Sequence, residues 1–345
     1  MRKSVLTLSI WLGFMFMGSA ALAQINPATV RIRLFKGLTE FPTINKAKIK
    51  RVSETMWRLQ GDNLVLQNKI LPSENLIVKK LDGNYDVISV VDFNTYIAGV
   101  ITGEMPLEWP MEALKAQAVV ARSFALARMK ERKHKVFHLE SNQADQVFTM
   151  PESNRALQAT LETENTVLKD RNGFILKAFY HADCGGQTIP ASQVWEKAVD
   201  SGVARDPWCG QRKLNQWSFT ISKDEFFAKL NQDILNPTTA LFFFKDRIKS
   251  IQVGTGDFTV QKLRETFGFS AIKNSPEKIS FDKENIVISG RGYGHGAGLC
   301  QHGASEQAKR GVSYVQILGH YYPKAQISQN EIRLTQLLTS DFVSN

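Results

Sequence analysis

Only three cysteines occur in 345 residues, at positions 184, 209 and 300, which excludes a disulfide-dense miniprotein. Glycine and proline number 23 and 11, without the strict period of a collagen-like fibre or the tracts of a disordered linker. Acidic residues are the scarcer charge, 33 Asp and Glu against 43 Lys and Arg, for a formal charge of +10. With 43% hydrophobic residues the chain reads as globular, and its length suits two domains or one large domain with additions. Beyond residue 23 no stretch reaches 18 uninterrupted apolar residues, so no membrane span is expected there.

The longest apolar run lies at the start. Arg2 and Lys3 precede an apolar stretch from Val5 to Met17, and small residues then end in Ala21-Leu22-Ala23. A basic start, a stretch too short to span a bilayer and an A-x-A ending describe a cleavable export signal over residues 1–23. The expected location is the periplasm or cell envelope. Export puts the cysteines where disulfides are permitted, and with three of them at least one stays unpaired. It also argues against nucleic acid as the partner of this basic chain and for an anionic setting in the envelope.

Strands and helices mix without strict βαβ alternation, which predicts an α+β fold around a central helix. Residues 24–86 read as a basic, β-rich N-terminal region: Val30 to Phe35, Leu64 to Leu66 and Leu76 to Val78 have strand composition. Residues 31–80 hold 11 Lys or Arg against four Asp or Glu; a solvated sheet face and a surface for an anionic polymer both fit. Residues 87–330 read as one main domain and 331–345 as a tail. Pro110 opens the strongest helix, Met111 to Arg132, where Leu114, Ala118, Ala121, Ala125 and Met129 recur at helical spacing. Further helices are expected at 152–164, 304–309 and 314–320. A hairpin is expected with arms 166–169 and 174–180 around Asp170-Arg171-Asn172-Gly173.

Four features could carry chemistry. Glu104 sits between Gly103 and Met105-Pro106, near Trp109; desolvation there would raise its pKa and suit it to general acid work. Arg122 lies in the apolar run 116–125, so its guanidinium needs an acceptor. It could clamp substrate, orient Glu104 or form a structural ion pair. His181 and Cys184 form an H-x-x-C pair, with Cys209 25 residues beyond Cys184. A zinc site on His181, Cys184 and Cys209, a Cys184–Cys209 disulfide and unbridged thiols all remain open. The Gly-rich stretch 290–303 offers G-x-G-x-x-G spacing but lacks a βαβ unit, so a dinucleotide site is not expected. His295 and Gln301 within it could face a polar substrate.

These pieces occur together in a recognisable order. Gly-Glu-Met-Pro at 103–106, Ala-Gln-Ala-Val-Val-Ala-Arg-Ser at 116–123, Tyr-His-Ala-Asp-Cys-Gly-Gly at 180–186 and the run from Gly292 to Ala304 resemble the stage II sporulation protein D family. Its relatives include the amidase enhancer proteins. Val194-Trp195, Asp206-Pro207-Trp208-Cys209, Leu263-Arg264 and His320-Tyr321-Tyr322-Pro323 add to the likeness, while Cys300 and His302 stand where Ser or Met and Tyr are common.

The resemblance implies a peptidoglycan lytic transglycosylase acting on glycan strands, with Glu104 as the catalytic acid and Arg122 as the motif arginine. It implies that His295 and Gln301 line or support the cleft. It raises zinc as a possible cofactor, although the proposed chemistry requires none. Two other functions stay in view: a non-catalytic wall-binding enhancer of an amidase, and a hydrolase pairing Glu104 with Glu108 or Glu112.

Overall fold

The computed structural model describes residues 29–45, 47–71, 74–151, 153–210, 215–232, 239–245 and 247–329. The expected signal (1–23) and tail (331–345) lie outside the described residues. The architecture is α+β. No helix among the described residues is long and apolar enough to cross a membrane.

A six-stranded sheet forms the N-terminal layer. Thr29–Leu38 pairs antiparallel with Asn84–Asp92, which pairs with Asn75–Leu81, and Met56–Gln60 and Lys48–Ser53 extend that side. On the other side, Leu139–Glu140 joins Thr29–Leu38 in parallel. Alternation puts Val30 and Ile32 inward with Leu76 and Val78, as a half-buried sheet requires. Lys48–Ser53, at the edge, is exposed along its whole length, and its lysines and arginine discourage pairing with another chain. The division expected at 86/87 falls inside the strand Asn84–Asp92, and Val30 and Ile32 share one core with the helices that follow.

Those helices are α1 (Phe93–Glu104), α2 (Met111–Glu131) and α3 (Asn154–Glu162). Asp92 caps α1 by accepting from Thr95 N at 2.9 Å, satisfying one orphan amide. Met105 leaves the helix in an extended conformation, as a residue before proline prefers. This makes Glu104 the last helical residue. Pro110 is the N-cap of α2, and the helix starts at Met111 as expected. Five alanines of α2, at 113, 116, 118, 121 and 125, are fully buried. Such small side chains let α1, α3 and the later helices Gln301–Lys309 and Tyr314–Tyr321 approach from several sides, so α2 is the central helix.

The expected hairpin forms only near its turn. Gly173 N donates to Asp170 O at 3.0 Å and Leu176 N to Leu168 O at 2.9 Å. Beyond that, Val167–Lys169 pairs with Gln326–Ser328, and Tyr180–His181 pairs in parallel with Leu299–Cys300. Partners more than a hundred residues away replace the local arm.

Pro207–Gly210 forms the single-turn α4. The segment 216–291 then folds around a core of its own that includes Trp217, Phe226, Ile251, Leu263 and Ile288. It contains α5 (Lys223–Lys229), α6 (Val260–Phe267) and two three-stranded sheets. The chain returns through Leu299–Cys300 into α7 (Gln301–Lys309) and α8 (Tyr314–Tyr321).

Candidate active site and adjoining cysteine cluster

Glu104 is held where α1 meets the loop 146–149. Its Oε1 accepts from Val147 N at 2.7 Å and from the Tyr180 hydroxyl at 3.0 Å. The loop can come this close because residue 103 is glycine: a Cβ there would run into Val147 O. Burial raises the Glu104 pKa above the ordinary carboxylate range, and the two hydrogen bonds pull the other way. Its place at a helix C-terminus also disfavours the charged form. The result is a half-buried carboxyl that keeps its proton to higher pH than a solvated one.

Tyr180 belongs to a further network. Gln146 hydrogen-bonds it and accepts from the Tyr96 hydroxyl at 2.9 Å. Burial first, then the nearby Glu104, pushes the Tyr180 phenol well above its ordinary pKa, so it stays a donor.

Half-exposed aromatic rings gather around Phe179, the residue before Tyr180. Phe179 stacks on Trp195 with centroids 3.9 Å apart, and His295 meets Trp195 edge-on at 4.7 Å. Trp109, five residues after Glu104, lies 5.0 Å from the His302 ring. Such rings present flat apolar faces of the kind that pyranose rings stack on. His295 Nδ1 accepts from Ala297 N at 3.1 Å; burial, then the neighbouring His181, holds its pKa well below the ordinary value, so the ring is neutral.

The other expected residues are distributed differently. The Arg122 guanidinium is 2% exposed and donates to the carbonyls of Thr160, Thr163 and Thr166 at 2.9, 2.8 and 3.0 Å. It closes the C-terminal end of α3, where orphan carbonyls favour a cation, and Glu104 is not among its hydrogen-bond partners. Gln301 is buried at the start of α7, and its Nε2 has no partner among the described residues. Glu112 is engaged by Lys115 at 2.9 Å and by Tyr314 N at 2.7 Å, while Glu108 is exposed.

The cysteines converge as a group of three. The ligand atoms of Cys184, Asp206, Cys209 and Cys300 all lie within 4.8 Å of one another, and all four residues are buried. The cysteines are unbridged. His181, expected among the ligands, is outside this set. Its Nδ1 faces Ala297 O at 3.0 Å, its Nε2 has no partner among the described residues, and burial lowers its pKa to about 4. Asp183 lies alongside, 2.9 Å from Cys209 Sγ; burial and that sulfur raise its pKa to about 7.

Sequence reasoning missed Tyr180, Asp206 and the inclusion of Cys300. Tyr180 and Asp206 were visible as motif residues, but no local pattern assigns them a contact. Cys300 looked like the odd thiol because its partners lie 91 and 116 positions upstream.

Glu104 thus presents a protonatable carboxyl between a tyrosine and a backbone amide, the kind of group that acid–base chemistry uses. Residues 81–169 match the SpoIID family model, described as Stage II sporulation protein. That segment is thus similar to the family that the chain's motifs resemble. It is 29% identical over 249 residues to an uncharacterised protein of Brachyspira hyodysenteriae, covering 68% of this chain and 66% of that one. The amidase enhancer of Bacillus subtilis is 27% identical over 294 residues, covering 66% of this chain and 39% of the relative. Stage II sporulation protein D of Bacillus amyloliquefaciens is 27% identical over 276 residues, covering 72% and 77%. The chain thus spans 66% and 39% of the length of the first two of these relatives.

Proposed function

We propose that this chain acts in the cell wall as an exported lytic transglycosylase, cleaving the bond between N-acetylmuramic acid and N-acetylglucosamine in glycan strands stripped of stem peptides. The observation that carries the proposal is Glu104: one carboxyl with a raised pKa, hydrogen-bonded by Val147 N and Tyr180. In this reading Glu104 first protonates the glycosidic oxygen as a general acid. The resulting carboxylate then takes the proton of the muramic acid 6-hydroxyl, which attacks its own anomeric carbon and closes a 1,6-anhydro ring. The attack is intramolecular, so its entropy cost is small.

A hydrolase would call on a second carboxylate to activate water or to act as nucleophile. Glu112 is held by Lys115 and the Tyr314 amide, and Glu108 is exposed to solvent, which supports the single-carboxyl route. Mass spectrometry of digested peptidoglycan tests it, because anhydro and reducing muramic ends differ by one water. Anhydro ends are expected; reducing ends alone would exclude the transglycosylase.

The name of the Bacillus subtilis relative, amidase enhancer, favours a second reading, in which the chain binds wall and stimulates an N-acetylmuramoyl-L-alanine amidase without cutting glycan. That function would survive Glu104→Gln, whereas transglycosylase activity would not.

A further inference from the structure

We propose that Cys184, Asp206, Cys209 and Cys300 form a closed, structural zinc site that locks the strand Tyr180–His181 against Leu299–Cys300. Three soft thiolates and one carboxylate are a donor set suited to zinc. The four ligand atoms lie within 4.8 Å of one another, and a tetrahedral site with Zn–S bonds of about 2.3 Å has edges of roughly 3.8 Å. The spread of the ligand atoms exceeds that edge by at most about 1 Å. Because four protein ligands fill a tetrahedron and all four are buried, the site leaves no position for substrate, which marks it as structural.

The surroundings of the sulfurs fit ionised ligands. Cys184 N donates toward Cys300 Sγ at 3.2 Å, Gly186 N toward Cys184 Sγ at 3.4 Å and Gly303 N toward Cys300 Sγ at 3.3 Å. The Tyr321 hydroxyl donates to Asp206 Oδ2 at 2.6 Å, the kind of outer contact that orients a ligating carboxylate. Residue 303 must be glycine for this packing, since a Cβ there would collide with Asp206 and the Tyr321 hydroxyl. Arg247 adds positive charge, donating to the carbonyls of Cys184 and Gly185 at 3.0 and 2.9 Å. Four ionisable groups buried side by side would repel one another if charged, and a divalent cation offsets that repulsion.

A disulfide would use two of the sulfurs and leave the third, with Asp206, unexplained. The zinc site uses all four donors and draws them from three separated stretches of chain. Its mechanical effect follows from the pairing: Cys300 is opposite His181 and Leu299 is opposite Tyr180. Zinc would therefore hold in register the strand whose tyrosine reaches Glu104.

The test uses the full-length mature chain, purified aerobically without chelator. Metal analysis should find one zinc per chain, and thiol titration after unfolding with chelator should count three thiols. Replacing zinc by cobalt(II) should give intense thiolate-to-cobalt charge-transfer absorption, and removing the metal should lower the melting temperature. Cys300→Ser should weaken zinc retention tenfold or more, whereas His181→Gln should leave one zinc bound. A Cys184–Cys209 disulfide found by mass spectrometry, with a single remaining thiol, overturns the proposal. So does a protein with three thiols that takes up no zinc at a small molar excess. Neither measurement on the wild-type chain depends on a variant folding or on the glycan-cleaving reading being right.

Discussion

Tyr180 and Glu104 meet at 3.0 Å, the phenol of a two-residue strand donating to the carboxyl at the end of α1. Burial raises the Glu104 pKa, and this hydrogen bond opposes the rise by favouring the carboxylate. Tyr180 thereby tunes the proton affinity of the group proposed to do the chemistry, in addition to holding it in place.

Glu104→Gln keeps size and shape while removing the proton donor and the later base. Activity on glycan strands should fall by about 10²–10⁴-fold or more, the usual range for general acid–base catalysis, and anhydro ends should vanish from the digest. Strand binding should persist. The linkage sign for stability is also defined: Glu104 is uncharged in both states at low pH, but above the unfolded carboxylate pKa the unfolded chain ionises more readily than the native one. That difference destabilises the native protein as pH rises. Glu104→Gln should accordingly gain melting temperature relative to wild type between acidic and neutral pH. An equal difference at both pH values would contradict the raised pKa.

Tyr180→Phe removes a hydrogen bond that favours the charged form of Glu104. The Glu104 pKa should rise, so the alkaline limb of kcat/KM, where the acid loses its proton, should move to higher pH. A limb that stays in place or moves to lower pH would show that Tyr180 does not set this proton affinity.

Arg122→Met takes the guanidinium from three carbonyls at and just beyond the end of α3, although Thr163 O keeps Thr166 N and Thr160 O keeps the Thr163 hydroxyl. Losing several buried hydrogen bonds to a cation is expensive, and stability should fall on the order of 3 kcal/mol, read as a lower midpoint in urea. Hydrogen exchange should quicken first in α3. At low temperature the folded fraction should still cleave glycan. Loss of kcat with an unchanged midpoint would return Arg122 to the catalytic group.

Trp195→Ala removes the ring stacked on Phe179 at 3.9 Å. If that ring carries a sugar, KM for glycan strands should rise roughly three- to tenfold, the worth of one aromatic face, with a smaller change in kcat. Titration by intrinsic fluorescence or calorimetry would check it, and unchanged binding would remove Trp195 from the substrate surface.

What the sequence reveals follows the range over which each signal acts. The central helix was expected over Met111 to Arg132 and runs Met111–Glu131, because its proline start and alanine spacing act within a few residues. The second arm of the hairpin misled, since Asp170 to Gly173 describes the turn truthfully but nothing nearby announces that Tyr180 and His181 prefer residues 299 and 300. The lobe 216–291 was hidden because no glycine- or proline-rich linker marks its ends; only its separate core reveals it. The apolar, proline-stiffened surroundings of Glu104 were legible, but the sequence suggested a loop where the residue ends α1. Its tyrosine partner lies 76 residues away, beyond any local pattern, and the role of Arg122 depends on where α3 happens to end.

The strand pair that sets Tyr180 opposite Leu299 also imposes a timetable. Glu104, α1 and α2 are complete within the first 131 residues, yet the tyrosine that meets Glu104 is registered by a segment that follows the entire lobe 216–291. Closing so long a loop is slow, because its entropy must be lost before the contact repays it. A chain leaving a ribosome or a translocation channel N-terminus first would therefore expose its acid early but acquire a working constellation only after residue 300 has emerged. On the reading of Glu104 as the acid, activity is expected to appear only once residue 300 has been delivered and paired.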